Sequence, residues 1–206
     1  MGITERKIRS REHIKDHILK AAKELFIQKG FTETSIRNIA EKIEYSPTTI
    51  YLYYKDKNAI FRAIHNEGFG LLKESMKVLS NVRDPFERLQ AMCRVYINFG
   101  LENNELYNLM FILEAPINSI NTLDEEWEEG QESFEVLNKT VQECLNAGLF
   151  KGYNAESLSF ILWSTVHGMS SLYINGRCEK VFNKTKTYTI LYEGIETLNR
   201  LLNQLK

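Results

Sequence analysis

The stretch that decides the fold is TSIRNIAEKIEYSPTTIYLYYKDKNAIFRAI, residues 34–64. Its apolar residues recur at three- and four-residue spacing in two short runs, which predicts two short amphipathic helices. Thr34 precedes the first run and is the predicted N-cap of its helix. Ser46 is placed to cap the second helix, with Pro47 at the first helical position, where its missing N–H costs no hydrogen bond. Two short helices joined by a link of three residues, 44–46, predict a helix-turn-helix.

The second helix of this motif begins with small and hydroxyl-bearing side chains, which can approach a base pair closely. In a helix-turn-helix the N-terminal residues of the second helix face the bases, and threonine can hydrogen-bond either base type. Lys57 stands in the first turn of the next helix, where the helix dipole disfavours a cation, so we expect a phosphate partner. The expected DNA-binding surface comprises Thr34, Ser35, Ser46, Pro47, Thr48, Thr49, Tyr51, Tyr53, Tyr54 and Lys57.

Working outward, the apolar periodicity predicts helices throughout, about nine in all, with no strand and no internal repeat. Gly30 is placed to end the first helix, and Asp56 to cap a long one. The fold class is therefore predicted to be all-α, with a three-helix helix-turn-helix domain over residues 8–55 and a helical domain over 56–206. The remaining predicted helices cover about residues 8–29, 56–80, 86–103, 105–114, 124–146, 155–175 and 184–205.

Charge is distributed unevenly along the 206 residues, although the net charge is only −1. Residues 1–62 contain 13 Lys and Arg against 8 Asp and Glu, a charge of +5. The remainder contains 13 basic and 19 acidic residues, a charge of −6. A basic N-terminal part suits an anionic polymer such as nucleic acid, and the acidic remainder suits another task.

Several classes of protein are not expected. No G-x-S-x-G, H-E-x-x-H or P-loop motif is present, which argues against an enzyme. Cys93, Cys144 and Cys178 are far apart in the sequence, so we expect free thiols in a reducing compartment. His13 and His17 are four residues apart, but no further Cys or His supports a metal site, so neither a metal nor a cofactor is expected. Without a signal peptide or an apolar run of ~18 residues, we expect a cytoplasmic protein that does not enter a membrane.

The segment from residue 34 resembles the N-terminal signature of TetR-type transcriptional regulators, T-[TS]-h-x-x-I-A-x-x-A-G-V-S-x-G-T-h-Y-x-[HY]-F-x-[SD]-K-x-x-h. The upstream stretch KAAKELFIQKGF, residues 20–31, is similar to that family's first helix, and the resemblance covers about residues 11–65. Glu44 departs from the pattern at the turn glycine, Thr48 at the second glycine and Tyr54 at the phenylalanine. The matching residues are Thr34, Ser35, Ile39, Ala40, Ser46, Thr49, Tyr51, Tyr53, Lys57 and Ile60.

The resemblance implies a regulator that binds a palindromic double-stranded operator as a homodimer through its last two helices. It also implies that residues 56–206 hold a small-molecule effector, unidentified here, whose binding relieves repression by shifting the spacing of the two recognition helices. Half-sites one DNA turn apart, ~34 Å, would make binding sensitive to such a shift. The alternative is a regulator without an effector that binds DNA or recruits a partner through the acidic stretch DEEWEEGQE, residues 124–132.

Two segments of the C-terminal part are candidates for an effector pocket. LSFILWSTVHGMSSL, residues 158–172, resembles the W-x3-H-G helix of one TetR subgroup, and its Trp and His share a helix face. They either line the pocket or pack at the dimer seam. The aromatic stretch of residues 96–116 suits a flat apolar ligand, or simply a core. The pocket candidates are Tyr96, Phe99, Tyr107, Met110, Phe111, Glu114, Trp163 and His167.

Overall fold

The computed structural model describes residues 3–113 and 128–205, and within these ranges it contains helices and no strand. The all-α prediction is confirmed. Residues 114–127, which include the first four residues of the acidic stretch, lie outside the described residues. The helices are α1 (Ile3–Glu33), α2 (Ile36–Lys42), α3 (Pro47–Tyr51), α4 (Lys57–Lys77), a 3-10 turn (Val78–Asn81), α5 (Pro85–Glu102), α6 (Asn104–Phe111), α7 (Glu128–Asn146), α8 (Ala155–Ile174), α9 (Arg177–Val181) and α10 (Lys184–Gln204).

Side-chain caps start several of these helices, and two of the predicted caps are confirmed. The hydroxyl of Ser46 accepts a hydrogen bond from the backbone N–H of Thr49, with Pro47 at the first position of α3. A carboxylate oxygen of Asp56 accepts from the N–H of Ala59 at 2.7 Å, which caps α4. Such caps satisfy N–H groups that have no partner inside the helix, and each contributes about 1 kcal/mol.

The predicted cap of α2 is wrong by one residue, because Ser35 caps this helix instead of Thr34. The N–H of Asn38 donates to the Ser35 hydroxyl at 3.1 Å, and the N–H of Ser35 donates to the Asn38 side-chain oxygen at 3.0 Å. These reciprocal bonds form a capping box. Thr34 is buried, and its hydroxyl donates to the carbonyl oxygen of Gly30 at 2.8 Å. Its side chain therefore secures the end of α1.

The chain divides into two compact units. The N-terminal unit comprises Met1–Gly68 and Glu105–Trp127, and the C-terminal unit comprises Phe69–Asn104 and Glu128–Lys206. The division falls inside α4 and assigns most of α6 to the N-terminal unit. The functional division at residue 56 remains a prediction, because compactness alone does not show which part binds which partner.

The core of the N-terminal unit is built from α1 to α4, with Leu109 of α6 packed among them. Three phenylalanine rings form its centre, with ring centroids 5.3 to 5.9 Å apart. Burial of each large apolar side chain stabilises the fold by about 1.5–3 kcal/mol. The buried residues are Ile18, Ala21, Ala22, Leu25, Phe26, Phe31, Ile39, Ala40, Ile50, Ile60, Phe61, Ile64 and Leu109.

A glycine lets α4 and α6 approach each other closely within the N-terminal unit. A Cβ atom at Gly68 would overlap the sulfur atom of Met110, so the methionine occupies the space that a larger residue would take. One turn earlier on α4, the Nε2 atom of the buried His65 lies 2.8 Å from the carbonyl oxygen of Met110. These two contacts hold the C-terminal half of α6 against α4.

The core of the C-terminal unit joins α5, α7, α8 and α10. The ring centroids of Phe86 and Phe150 lie 5.9 Å apart at its centre. Two ion pairs connect the same helices, Arg88 with Glu143 and Arg94 with Glu196. The buried residues of this cluster are Phe86, Leu89, Val141, Cys144, Phe150, Leu158, Leu162 and Leu202.

The turn between α2 and α3 contains a residue in a strained backbone conformation. Glu44 has a φ of +60°, in the left-handed region that favours glycine. The turn closes because the N–H of Tyr45 donates to the carbonyl oxygen of Ala40 at 2.9 Å. A non-glycine residue in this conformation costs about 1 kcal/mol, which the packing of α2 and α3 offsets.

We predict that Glu44→Gly raises the free energy of unfolding by about 0.5–1 kcal/mol, because glycine adopts this conformation without steric cost. The greater conformational entropy of glycine in the unfolded state offsets part of this stabilisation. Urea denaturation measures the change. Glu41→Gly, inside α2, is the matched control and should lower the free energy of unfolding by about 1 kcal/mol. Equal destabilisation by both substitutions would contradict the strain at Glu44.

Candidate nucleic-acid interface

The helix-turn-helix is held in place by a small set of buried side chains. Ile39 and Ala40 of α2 and Ile50 of α3 are completely buried in the core of the N-terminal unit. These positions lie on the inner faces of two very short helices, so the remaining faces point to solvent. The exposed face of α3 begins with Ser46, Pro47 and Thr48.

The hydroxyl groups at the start of α3 differ in their hydrogen bonding. The Ser46 and Thr49 hydroxyl oxygens lie 2.9 Å apart and share a hydrogen bond, and Thr49 is half-buried. The hydroxyl of exposed Thr48 has no hydrogen-bond partner in the part of the chain that the structure describes. Thr48 therefore presents a hydroxyl and a methyl group to any surface that approaches α3.

The three tyrosines that follow are placed differently. Tyr51 is 56% exposed, whereas Tyr53 and Tyr54 are half-buried and pack against the core of the N-terminal unit. Burial raises the pKa of Tyr54. The guanidinium carbon of Arg11, on α1, lies 5.9 Å from the ring centroid of Tyr53.

Lys57 has partners inside the protein. Its Nζ atom donates to the carbonyl oxygens of Phe31 at 2.6 Å and Thr32 at 3.2 Å. It also lies 4.3 Å from the ring centroid of Phe31, and burial lowers its pKa. The expectation of a phosphate assumed that this cation lacked an acceptor, and the end of α1 supplies two. Thr34, also expected at the interface, is buried under the same segment.

Sequence reasoning missed the cations that accompany this surface. The side chain of Arg37, on α2, is 81% exposed, and among the described residues it forms an ion pair with the exposed Glu41 at 3.7 Å. Such surface pairs contribute little, so the guanidinium can rearrange toward a ligand. Lys55 is exposed between α3 and α4. The basic excess of residues 1–62 pointed to such groups, but not to which side chains face outward.

Three effector candidates come together in the C-terminal unit. The indole N–H of Trp163 donates to the hydroxyl oxygen of Tyr96 at 3.3 Å, and that oxygen lies 3.2 Å from Nδ1 of His167. Burial lowers the pKa of His167, which favours its neutral form. Phe134 lies edge-on to Trp163, with ring centroids 6.1 Å apart. Phe99, another effector candidate, is buried on α5 three residues after Tyr96.

The other effector candidates belong to the N-terminal unit. Tyr107 is completely buried and lies 4.9 Å from Phe111, measured between ring centroids. Met110 fills the space beside Gly68. These three residues serve the packing of α6, which agrees with the interpretation of this stretch as core. Glu114 lies outside the described residues.

Large apolar side chains remain exposed on the last helices of the C-terminal unit. They form a group on neighbouring helices and are not scattered singly over the surface. The exposed residues are Phe160, Ile161 and Leu172 of α8, Val181 of α9, and Tyr188 and Leu201 of α10.

The described residues show neither a membrane-spanning helix nor a metal-binding cluster. None of the helices in residues 3–113 and 128–205 is long and apolar enough to cross a membrane. Over the same ranges, no three His, Cys, Asp or Glu side chains are arranged as ligands for a metal ion.

Comparison with known proteins decides the family. The model described as bacterial regulatory proteins of the tetR family matches residues 18–64, and the one described as the tetracyclin repressor-like C-terminal domain matches residues 89–193. The chain belongs to the TetR family. TetR-family proteins are transcriptional regulators that bind operator DNA and usually dimerise, so this protein is a DNA-binding regulator and not an enzyme.

Individual relatives of this TetR-family protein are distant. The HTH-type transcriptional regulator UidR of Escherichia coli K12 is 33% identical over 70 residues, 34% of this chain and 33% of UidR. The match thus spans about a third of UidR. The transposon Tn10 TetC protein of Escherichia coli is 22% identical over 149 residues, 70% of this chain and 72% of TetC.

Solved structures show the same fold. The fatty acid degradation regulator FadR from Bacillus halodurans has a TM-score of 0.73 at 16% identity, covering 90% of this chain and 94% of that one. FadR from Bacillus subtilis, solved in complex with stearoyl-CoA, has a TM-score of 0.72 at 16% identity, covering 88% and 96%. Identities this low establish the architecture alone.

We predict that Thr48→Val lowers affinity for the operator by about 1–3 kcal/mol and leaves affinity for unrelated DNA nearly unchanged, because valine keeps the methyl group and loses the hydroxyl. Thr49→Val should cost less, since its hydroxyl already bonds to Ser46. Fluorescence anisotropy at fixed salt measures both. An equal loss on operator and unrelated DNA would exclude a base-reading role for Thr48.

Proposed function

We propose that this TetR-family protein is a repressor that binds a palindromic operator as a homodimer and is released by a small-molecule effector. The observation that carries the proposal is the start of α3. There Thr48 presents an unpartnered hydroxyl on an exposed helix end whose opposite face is fixed in the core by Ile50. Such an end can enter the major groove and meet base edges.

Charge around α3 supports binding to the DNA backbone. Arg37 and Lys55 are exposed on either side of the recognition helix in the sequence, and Arg11 reaches the ring of Tyr53 from α1. Cations that contact phosphates position a protein on the duplex, while base contacts specify the sequence. We therefore assign these cations to positioning, together with the exposed Tyr51 hydroxyl, and Thr48 to specificity.

The exposed apolar residues of the C-terminal unit support a homodimer through α8 and α10. Phe160 is 59% exposed on α8, and Tyr188 is 59% exposed on α10. Burial of such side chains in a symmetric interface stabilises a dimer by about 1.5–3 kcal/mol each. The inner faces of the same helices are already packed, with Leu162 and Leu202 buried in the core. A second copy of the chain fits the outer faces.

The cluster of Tyr96, Trp163 and His167 is the proposed polar end of the effector site. Its three groups are uncharged, and the ring of Phe134 packs edge-on against Trp163, so it suits a ligand with an apolar body and a neutral polar group. FadR from Bacillus subtilis, which shares the fold, was solved with stearoyl-CoA. Long-chain acyl-CoA is therefore the first ligand class to test.

The alternative, partner recruitment through the acidic stretch, gains no support from its described part. Among residues 128–132, Glu132 pairs with Lys73 of α4 inside the C-terminal unit. One acidic group of the stretch is thus already neutralised within the chain, and effector-responsive repression remains the favoured function.

Selection of bound sequences from random DNA at roughly physiological salt tests the proposed function. We expect a palindrome whose half-site centres lie ~34 Å apart, because each protomer of a dimer places one α3 in successive major grooves. The affinity should fall steeply with salt as phosphate counterions are released. Enrichment of no sequence by a folded, dimeric protein would contradict operator binding.

Phe160→Glu is the control for the dimer in this selection. A carboxylate at the centre of the proposed interface should give a monomer in analytical ultracentrifugation and loss of binding to the full palindrome. Glu156→Gln, an exposed change on the first turn of the same helix, should leave both unchanged. A Phe160→Glu protein that stays dimeric would show that α8 is not in the interface.

Stearoyl-CoA tests the effector site. In a Trp127→Phe background, its binding should quench the emission of Trp163 and lower operator affinity at least tenfold, because the ligand contacts the indole and favours the released state. Tyr96→Phe, which removes the hydroxyl that accepts from the indole, should weaken both effects. Release from DNA without a change in Trp163 emission would locate the ligand elsewhere, and absence of both effects would exclude this ligand class.

A further inference from the structure

The end of α1 leaves backbone carbonyl groups without helical partners. Gly30 has a φ of +83° and a ψ of 164°, which interrupts the helix and turns the chain toward α2. Carbonyl oxygens before and after such a break cannot all bond along the helix, and each needs another donor when it is buried. Thr34 supplies one, because its hydroxyl lies within reach of the carbonyls of Gly30 at 2.8 Å and Leu25 at 3.2 Å.

Lys57 supplies the donors for the next two carbonyls. Its ammonium group donates to Phe31 at 2.6 Å and to Thr32 at 3.2 Å. The same group stands 4.3 Å from the centroid of the Phe31 ring, so a third side of the cation faces an aromatic surface. The ammonium has three hydrogens, and two of them are committed to these bonds.

This arrangement makes Lys57 a poor phosphate ligand. A phosphate would have to replace two short bonds and draw the ammonium away from the Phe31 ring, which itself packs on Phe26 and Phe61. Lys57 is half-buried at this position, and burial lowers the pKa of its ammonium group. The cation is thus built into the N-terminal unit.

The hydrogen bonds of Lys57 connect two segments that lie on either side of the helix-turn-helix in the sequence. Phe31 and Thr32 lie at the C-terminal end of α1, before α2, and Lys57 is the first residue of α4, after α3. The ammonium therefore joins the two ends of the segment that contains the whole helix-turn-helix. We propose that Lys57 is a positioning residue, a clasp that closes the helix-turn-helix at its base and fixes its orientation for the operator; this rests on the operator binding proposed above.

Lys55 provides a matched comparison two residues away. It is exposed and has no ion pair or hydrogen bond in the ranges the structure covers. A lysine of this kind contacts phosphates through charge alone, and its loss from both protomers of the proposed dimer should make the slope of log K against log salt less negative by about 1.8, or ~0.9 for each phosphate contact. A clasp at Lys57 adds nothing to the slope of log K against log salt, because no counterion of the DNA is released when Lys57 makes its internal bonds.

The experiment compares Lys57→Met, Lys55→Met and Lys57→Arg on the operator obtained by selection and on random-sequence DNA. We expect Lys57→Met to lower operator affinity at least tenfold, leave random-sequence affinity within about twofold and keep the salt slope of wild type. Lys55→Met should lower both affinities by a similar factor and reduce the slope. Lys57→Arg should recover most of the operator affinity, since a guanidinium can also donate to two carbonyls. A slope reduced by Lys57→Met as much as by Lys55→Met would overturn the proposal.

Chemical labelling of wild type keeps the test independent of whether a variant folds. Acetic anhydride should label Lys55 fast in the free protein and slowly on the operator, and Lys57 slowly in both. Fast labelling of Lys57 in the free protein, followed by protection on DNA, would assign it to a phosphate and overturn the clasp. If wild type selects no DNA sequence, the proposed function fails, while labelling of the free protein still decides the clasp: Lys57 labelled as fast as Lys55 excludes it.

Discussion

Two helices of seven and five residues cannot persist alone in water, because helix nucleation is unfavourable and short helices recover too few hydrogen bonds. Their stability in this protein depends on burying Ile39, Ala40 and Ile50 against α1 and α4. That burial fixes both helices by their inner faces and leaves the outer face of α3 free. It also holds the strained turn at Glu44, whose backbone conformation would not survive without the packing around it.

The connection between α1 and α2 shows how polar groups complete what the apolar core begins. Lys57 donates to two carbonyl oxygens at the end of α1, and the single hydroxyl hydrogen of Thr34 lies within reach of two more. Thr34 is buried and Lys57 is half-buried. An unsatisfied buried carbonyl costs more than a satisfied one contributes, so these donors are tied to the fold. Two residues of the signature thereby make contacts inside the motif, whereas Thr48, Arg37 and Lys55 are exposed.

The C-terminal unit is organised around two different surfaces. Inside, Tyr96, Trp163 and His167 form an uncharged polar cluster among aromatic rings, which is the kind of environment that selects a ligand by shape and one hydrogen bond. Outside, α8 and α10 keep large apolar side chains in water, at a cost that a second copy of the chain would remove. The same α8 serves both surfaces, with Trp163 facing α5 and Phe160 facing solvent.

The all-α class, the helix-turn-helix and the caps at Ser46 and Asp56 could be predicted from the residues alone, because apolar spacing and capping are local properties of the chain. The same signature pointed to the family. Three outcomes emerged from the folded chain: Ser35 caps α2, Lys57 binds carbonyl groups, and the aromatic stretch after Tyr96 is shared between two units. Those outcomes depend on which atoms lie opposite a side chain from elsewhere in the chain, and one-dimensional spacing carries no information about a partner 26 residues away.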